Sequence, residues 1–294
     1  MRISTNSLYN NIIGYLDSLT ERMNSANEVV ATGKQINKPS DDPVGLNSVL
    51  GLRSSLANLK QLSRNIDTGK TWLDGAESAL QGVSDVVVNT KLLAISMATA
   101  TISADERKNM AATVENLQEQ LAAFANTTVS GRYIFAGSKS DVSPFEVDGT
   151  YSGDNTAFSV KISKNTNVEV GRDGEAVFGV KDSSDDIFKT LSDLKTALEG
   201  NDVTGIQDQM TRLDDHLNCI TTLIADTGQK SARFDAQGNI MADLDLSFTE
   251  RKSTLEDADM IQAVMDLKQI ENSYSAALAS GMSIINSKNI MDYF

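Results

Sequence analysis

Cysteine occurs once, at Cys219, so no disulfide can form within the chain. That fits a cytoplasmic protein, and equally a chain exported unfolded to the outside. Proline occurs three times in 294 residues, which leaves room for long unbroken helices. Aromatic residues make up 5%, too few to favour a large aromatic-lined substrate pocket. No apolar run is long enough to cross a membrane, and no Lys/Arg-led apolar segment opens the sequence, so no cleavable secretion signal is expected. Positive charge is also short. A net charge of −14 argues against a protein that works by neutralising nucleic-acid phosphates.

Catalytic signatures are missing as well. There is no P-loop, H-E-x-x-H, G-x-S-x-G or C-x-x-C. The one histidine, His216, has no evident catalytic partners and reads as a solvated or packed side chain. Cys219 reads as a small core residue. The 40 acidic residues offer many carboxylate pairs, but none on an apolar background that would raise a pKa. The chain is therefore read as a non-enzyme with no cofactor and no metal.

What is present is helical periodicity, strongest at the two ends. From Leu255 onward, Met260, Ala263, Leu267, Ile270, Tyr274, Ala277, Gly281 and Ile284 fall alternately three and four residues apart, and Met291 resumes the series after Lys288. This heptad spacing predicts one narrow apolar seam facing a partner helix about 45 Å long. Asp257 and Asp259 suit the positive N-terminal end of that helix. At the other end of the chain, Leu8, Ile12, Tyr15, Leu19, Met23, Ala26 and Val30 form a matching seam. Residues 1–60 carry six basic and five acidic residues, whereas 201–294 carry seven and fifteen. The two ends can therefore attract one another weakly, subject to salt screening.

Between the ends, Gly33 closes the first helix, and Pro39-Ser40-Asp41-Asp42-Pro43 sets a helix-hairpin turn with Asp42 as N-cap and Pro43 at the first helical position. The spacing of the paired aspartates fits no calcium loop. The next helix places Val49, Leu52, Leu56, Leu59, Ile66, Leu73, Leu80 and Val87 on a seven-residue lattice, with Trp72 as a packing anchor. Ser103 and Glu106 form a capping box for another helix, which fades by Asn126-Thr127-Thr128. From Gly131 to about Val180 the pattern turns to strands. Phe158, Val160 and Ile162 alternate with polar residues, as do Val168 and Val170, and Asp148-Gly149 and Asp173-Gly174 read as hairpin turns. Helix returns at Ile187, breaks at Gly200-Asn201 and resumes at Ile206. Ser247 with Glu250 and Ser253 with Glu256 have capping-box spacing. The expected divisions are 1–42, 43–137, a β-rich outer insert at 138–204, returning helices at 205–254, and 255–294.

This gives a mainly α fold, with long antiparallel coiled-coil helices from both termini and a central β-rich insert. Terminal seams with elaborations between them suggest a subunit of a tube or filament. Several stretches then resemble the flagellin family. They are Ile3-Ser4-Thr5-Asn6, Thr32-Gly33-Lys34-Gln35-Ile36-Asn37, Ser40-Asp41-Asp42-Pro43-Val44-Gly45-Leu46, Ala104-Asp105-Glu106-Arg107, Gly228 with Ala232-Arg233-Phe234, and Leu255-Glu256-Asp257-Ala258-Asp259. Gly131-Arg132-Tyr133-Ile134-Phe135-Ala136-Gly137 and the ending Ile290-Met291-Asp292-Tyr293-Phe294 are similar to members at the hook–filament junction and not to the filament subunit. The arginine-rich patch of some flagellins is replaced by Leu80-Gln81-Gly82-Val83-Ser84-Asp85. The resemblance implies a structural adaptor of the extracellular flagellum, in a ring of identical subunits. It implies export through the flagellar type III apparatus, and contacts with another hook-associated protein, with flagellin, and with a cytoplasmic export chaperone at the C-terminal helix. The alternative is flagellin itself. The two terminal seams would form the assembly interface.

Overall fold

The computed structural model describes residues 5–99, 101–183 and 185–286. The described elements run α1 (Thr5–Thr32), α2 (Pro43–Met97), α3 (Ala104–Ala125), β1 (Thr128–Val129), β2 (Arg132–Tyr133), β3 (Ser159–Ser163), β4 (Thr166–Glu169), α4 (Gly174–Phe178), α5 (Ile187–Glu199), α6 (Val203–Glu256) and α7 (Met260–Asn286). The fold is mainly helical. It divides into two compact units, one from the chain ends (up to Asn58 and from Leu244) and the other from Leu59–Asp243.

In the terminal unit α1 packs against α7. In the central unit the seven-residue lattice of α2 is the core: Leu59, Ile66, Leu73, Leu80 and Val87 are all buried. A lattice of that period keeps one stripe inward over many turns. Opposing helices supply Leu117 and Leu121 from α3, Leu191 and Leu194 from α5, and Leu213, Ile220 and Phe234 from α6, all buried. Two glycines of α2 let rings come close. A Cβ at Gly69 would lie 2.3 Å from Phe234, and one at Gly82 would lie 2.4 Å from Phe124.

Capping residues set the helix boundaries. The Ser103 hydroxyl accepts from the Glu106 amide while the Glu106 carboxylate accepts from the Ser103 amide, a complete capping box. Arg107, 4% exposed, then secures the turn. Its guanidinium donates to the carbonyls of Met97 (2.9 Å) and Thr99 (2.8 Å) and to the side chain of Asn201. One side chain thus ties the α2–α3 turn to the α5–α6 turn, where Asn201 takes φ +53°.

The stretch expected to be β-rich is so only in part. β3 and β4 form a hairpin with Val160 opposite Val168, but the same stretch holds α4, and α5 begins at Ile187, where helix was expected. Asp148-Gly149 does turn the chain: Gly149 has φ +81°, and Phe145 and Tyr151 pair on either side. Asp173-Gly174 does not make a hairpin. The Asp173 carboxylate instead accepts from the Glu175 amide at 3.0 Å and caps α4. Asp-Gly serves either role, and the Phe178 ring, buried by its neighbours, decides for the helix.

Four phenylalanines build the local core. Phe178 lies 5.3 Å from Phe135, 4.9 Å from Phe145 and 6.0 Å from Phe188 between ring centroids. The serines at 247 and 253 are not caps. α6 runs unbroken to Glu256, so neither residue has the extended backbone an N-cap requires. Cys219, expected in the core, is exposed, because the buried stripe of α6 passes through Leu213 and Ile220. Replacing Phe178 with Ala should cost about 3–5 kcal/mol, as for a fully buried aromatic. Denaturant melting of the full chain, followed through signals of the central unit, checks this.

Candidate assembly surface

The terminal unit is closed by a pairing of two turns far apart in sequence. Gly33 stops α1 by taking φ +69°, a conformation glycine adopts without a Cβ penalty. Lys34 then pairs with Asp257 as an isolated antiparallel bridge. The Gln35 amide donates to the Glu256 carbonyl at 2.7 Å, and the Ala258 amide donates to the Gly33 carbonyl at 2.9 Å. The segment between α1 and α2 is thereby stitched to the segment between α6 and α7.

Glu256 supplies the charge at this stitch. Its side chain is almost fully buried, and its Oε1 accepts from Lys34 Nζ and Arg53 Nη2, each at 2.5 Å. The other oxygen, Oε2, is buried and accepts no hydrogen bond among the described residues. Burial pushes the carboxyl pKa up, but the hydrogen bonds from Lys34 and Arg53 outweigh it and hold the pKa below its ordinary value. Asp259 begins the next helix, its carboxylate accepting from the amides of Ile261 (2.9 Å) and Gln262 (3.2 Å). Asp257 takes no such part; its carboxylate accepts from the Ser253 hydroxyl.

The aspartates of the helix-hairpin turn divide their work. Asp41 accepts from the amides of Asn37 (3.0 Å) and Lys38 (2.8 Å), pinning the loop behind it. These bonds hold its pKa below the ordinary carboxylate value. Asp42 accepts from Val44 (3.0 Å) and Gly45 (2.9 Å), capping α2 ahead of it. Pro39 and Pro43 flank the pair, and Pro43 opens α2 at a position where its missing N–H costs nothing.

The structure brings most of the two seams together. Leu19 of α1 and Leu267 of α7 are buried. Ile12, Met23, Ala26, Val30, Ala263, Ile270, Tyr274 and Ala277 are half-buried. Gly33 lies beside Met260 at one end of the pair, and at the other a Cβ on Gly281 would lie 3.2 Å from Ile12. Two seam residues stay largely exposed, Tyr15 at 62% and Met260 at 42%. Met291 lies outside the described residues, as do the side chains of Leu8 and Ile284.

A second stripe was not read from the sequence. Ile261, Val264, Met265, Leu278 and Met282 of α7 are exposed, Ile261 at 75% and Met282 at 64%, and so is Ile13 of α1. Val264, Met265 and Ala276 line a shallow groove with Lys268, Asn272 and Ser273. α7 is therefore apolar on more than the side that meets α1. The signal was available, since its apolar residues outnumber the positions of one heptad seam. No helix among the described residues is long and apolar enough to cross a membrane.

The comparisons with known proteins fit this architecture. Residues 3–140 match the family model of the bacterial flagellin N-terminal helical region. Over that stretch the chain is similar to the helical region of flagellins. The relatives it matches over nearly their whole length include flagellar hook-associated protein 3. That of Salmonella typhimurium is 29% identical, with 88% of this chain and 89% of the relative covered. That of Escherichia coli is 28% identical, over 94% and 96%. The flagellin of Listeria monocytogenes is 25% identical, over 98% and 96%. A solved structure of a flagellar hook-associated protein from Vibrio parahaemolyticus shares the fold, with a TM-score of 0.68 at 16% identity, covering 74% of this chain and all of that one.

The Glu256 cluster predicts a pH dependence. Because its folded pKa lies below the ordinary value near 4.5, its stabilisation is complete above that pH. It is lost as pH falls through the lower folded value. Glu256→Gln should cost about 1–2 kcal/mol at pH 7, the partial exposure of Lys34 and Arg53 keeping the figure low. The same change should flatten the acid limb of terminal-unit stability, as measured by thermal melts between neutral and acid pH.

Proposed function

We propose that this chain is the adaptor at the hook–filament junction of a bacterial flagellum, joining another hook-associated protein to flagellin. The observation that carries this reading is the higher identity to flagellar hook-associated protein 3, 29% and 28% over 88% and 94% of this chain. The flagellin reading rests on a lower identity over a similar length.

In this reading α1 and α7 form an antiparallel coiled coil within each subunit. Their remaining apolar surface packs against neighbouring copies in a ring. The division of labour follows from burial. Leu19 and Leu267 are used inside the chain, while Ile261, Met265 and Met282 are free for a neighbour. Clustered exposed apolar side chains of this kind mark interaction surfaces. Before assembly the same surface is an aggregation hazard, which a cytoplasmic export chaperone with a helical groove would cover. A chain with a single cysteine has no disulfide to re-form after export unfolded through the type III apparatus. The work is binding, with no catalytic step, cofactor or metal.

Electron microscopy of a strain lacking this protein should show bare hooks beside filaments shed into the medium. Complementation with the wild-type chain should restore attached filaments. A chain carrying Leu267→Asp and Ile270→Asp should fail to restore them, because burying two unpaired carboxylates disrupts the α1–α7 packing, while the central unit stays folded. Attached filaments with that variant would show that the seam is not the joint. Filaments built from this chain in a strain without flagellin would favour the filament-subunit reading.

A further inference from the structure

Two opposite flanks of α7 carry opposite charge. At 3.6 residues per turn, residues two apart lie about 200° apart around a helix, so Asp266 and Lys268 face away from each other. Lys268 lines the shallow groove on the outer flank with Val264, Met265 and Asn272. Ile261, one turn before Met265 and 75% exposed, extends that flank. Asp266 lines a second groove, the furrow between α1 and α7, together with Arg22, Ala26 and Val29 of α1. Both grooves lie within the terminal unit. Inside the chain Lys268 pairs with Glu271 at 2.7 Å, and Asp266 accepts from the Gln262 amide group at 2.8 Å. These are exposed contacts along one helix, of a kind that exchanges readily for others.

The packing of α1 on α7 sets which residues stand level. Gly33 lies beside Met260, and Gly281 beside Ile12. Between these two contacts Val29 stands level with Val264, Ser25 with Lys268, and Arg22 with Glu271. In a closed ring whose axis runs along these helices, equal residues of every copy share one height. Lys268 of one copy then meets the furrow of the next at the height of Ser25, about 3 Å along the axis from Asp266. Val264 and Met265 arrive beside Val29, and Asn272 beside Arg22. The outer flank thus finds apolar surface where it is apolar, an acid where it is basic, and a guanidinium where it offers an amide carbonyl.

We infer that the outer flank of α7 in one copy docks into the α1–α7 furrow of a second copy, with Lys268 meeting Asp266 across the contact. The inference rests on the reading of the chain as a ring subunit, and it adds the two surfaces and the charge pair that orient neighbours. The flank and the furrow are different surfaces of one chain. Each copy therefore receives one neighbour and enters another, a head-to-tail contact that leads to a ring and not to a closed pair. Ile261, Val264 and Met265 supply affinity. Lys268 selects the height, because a lysine within an apolar helix face costs affinity wherever no partner answers it. A neighbour slid by one turn leaves Lys268 about 5.4 Å out of step.

Charge exchange tests this. Full-length variants are supplied to a strain lacking the protein, and attached filaments per cell are counted. Lys268→Glu sets two acids together across the contact, and Asp266→Lys sets two bases together. Each should lower the count about tenfold or more. The chain carrying both changes re-forms the pair between copies with its sign reversed, and should return the count to within about twofold of wild type. Repair inside one chain cannot produce that recovery, because residues two apart on a helix do not face each other. Both positions are exposed, so the purified variants should melt as the wild-type chain does. A wild-type count with either single variant, or no recovery with both changes together, would overturn the docking and leave the adaptor reading in place. Attached filaments in the strain lacking the protein altogether would overturn the adaptor reading, and the docking with it.

Discussion

The terminal unit depends on one buried carboxylate. Glu256 sits where the end of α6 meets the loop after α1, and it draws Lys34 and Arg53 onto a single oxygen. Backbone hydrogen bonds on either side, from Gln35 to Glu256 and from Ala258 to Gly33, fix the register of the two turns. A buried charge is tolerated only when paired, so the geometry around Glu256 admits little variation. Once the two turns are registered, α1 and α7 leave from neighbouring points and their apolar faces meet.

The motifs that resemble the flagellin family acquire physical meaning at this point. Thr32-Gly33-Lys34-Gln35 and Leu255-Glu256-Asp257-Ala258-Asp259 are separated by more than two hundred residues in the chain, yet they are the two sides of one joint. Ser40-Asp41-Asp42-Pro43 is a loop staple followed by a helix cap. Ala104-Asp105-Glu106-Arg107 combines a capping-box glutamate with an arginine that closes two turns at once. Each fixes where a helix starts or stops, which suits the proposed adaptor role.

Burial divides the apolar surface of the terminal helices into a covered and an exposed part. Leu19 and Leu267 stabilise the subunit, and Ile261, Met265 and Met282 remain outside it. In the central unit the α2 lattice and the phenylalanine cluster form the core. In the proposed role stability and association draw on different side chains, so changes on the exposed stripe of α7 need not unfold the chain.

Much of this was legible in the amino-acid order alone. Helix positions, the α2 lattice, the Ser103 box and the Asp42 cap all follow from local periodicity and from side chains that bond to their own neighbouring backbone. Only the folded molecule decided that Asp173 caps a helix and does not turn a hairpin, that Ser253 lies inside α6, and that Cys219 faces solvent. It also decided which of the apolar residues on α7 face α1 and which stay outside. The reason is range. Caps and periodicity act within a few residues, whereas burial of a ring such as Phe178, or of a charge such as Glu256, depends on groups brought from distant parts of the chain, and no local pattern records which of them will arrive.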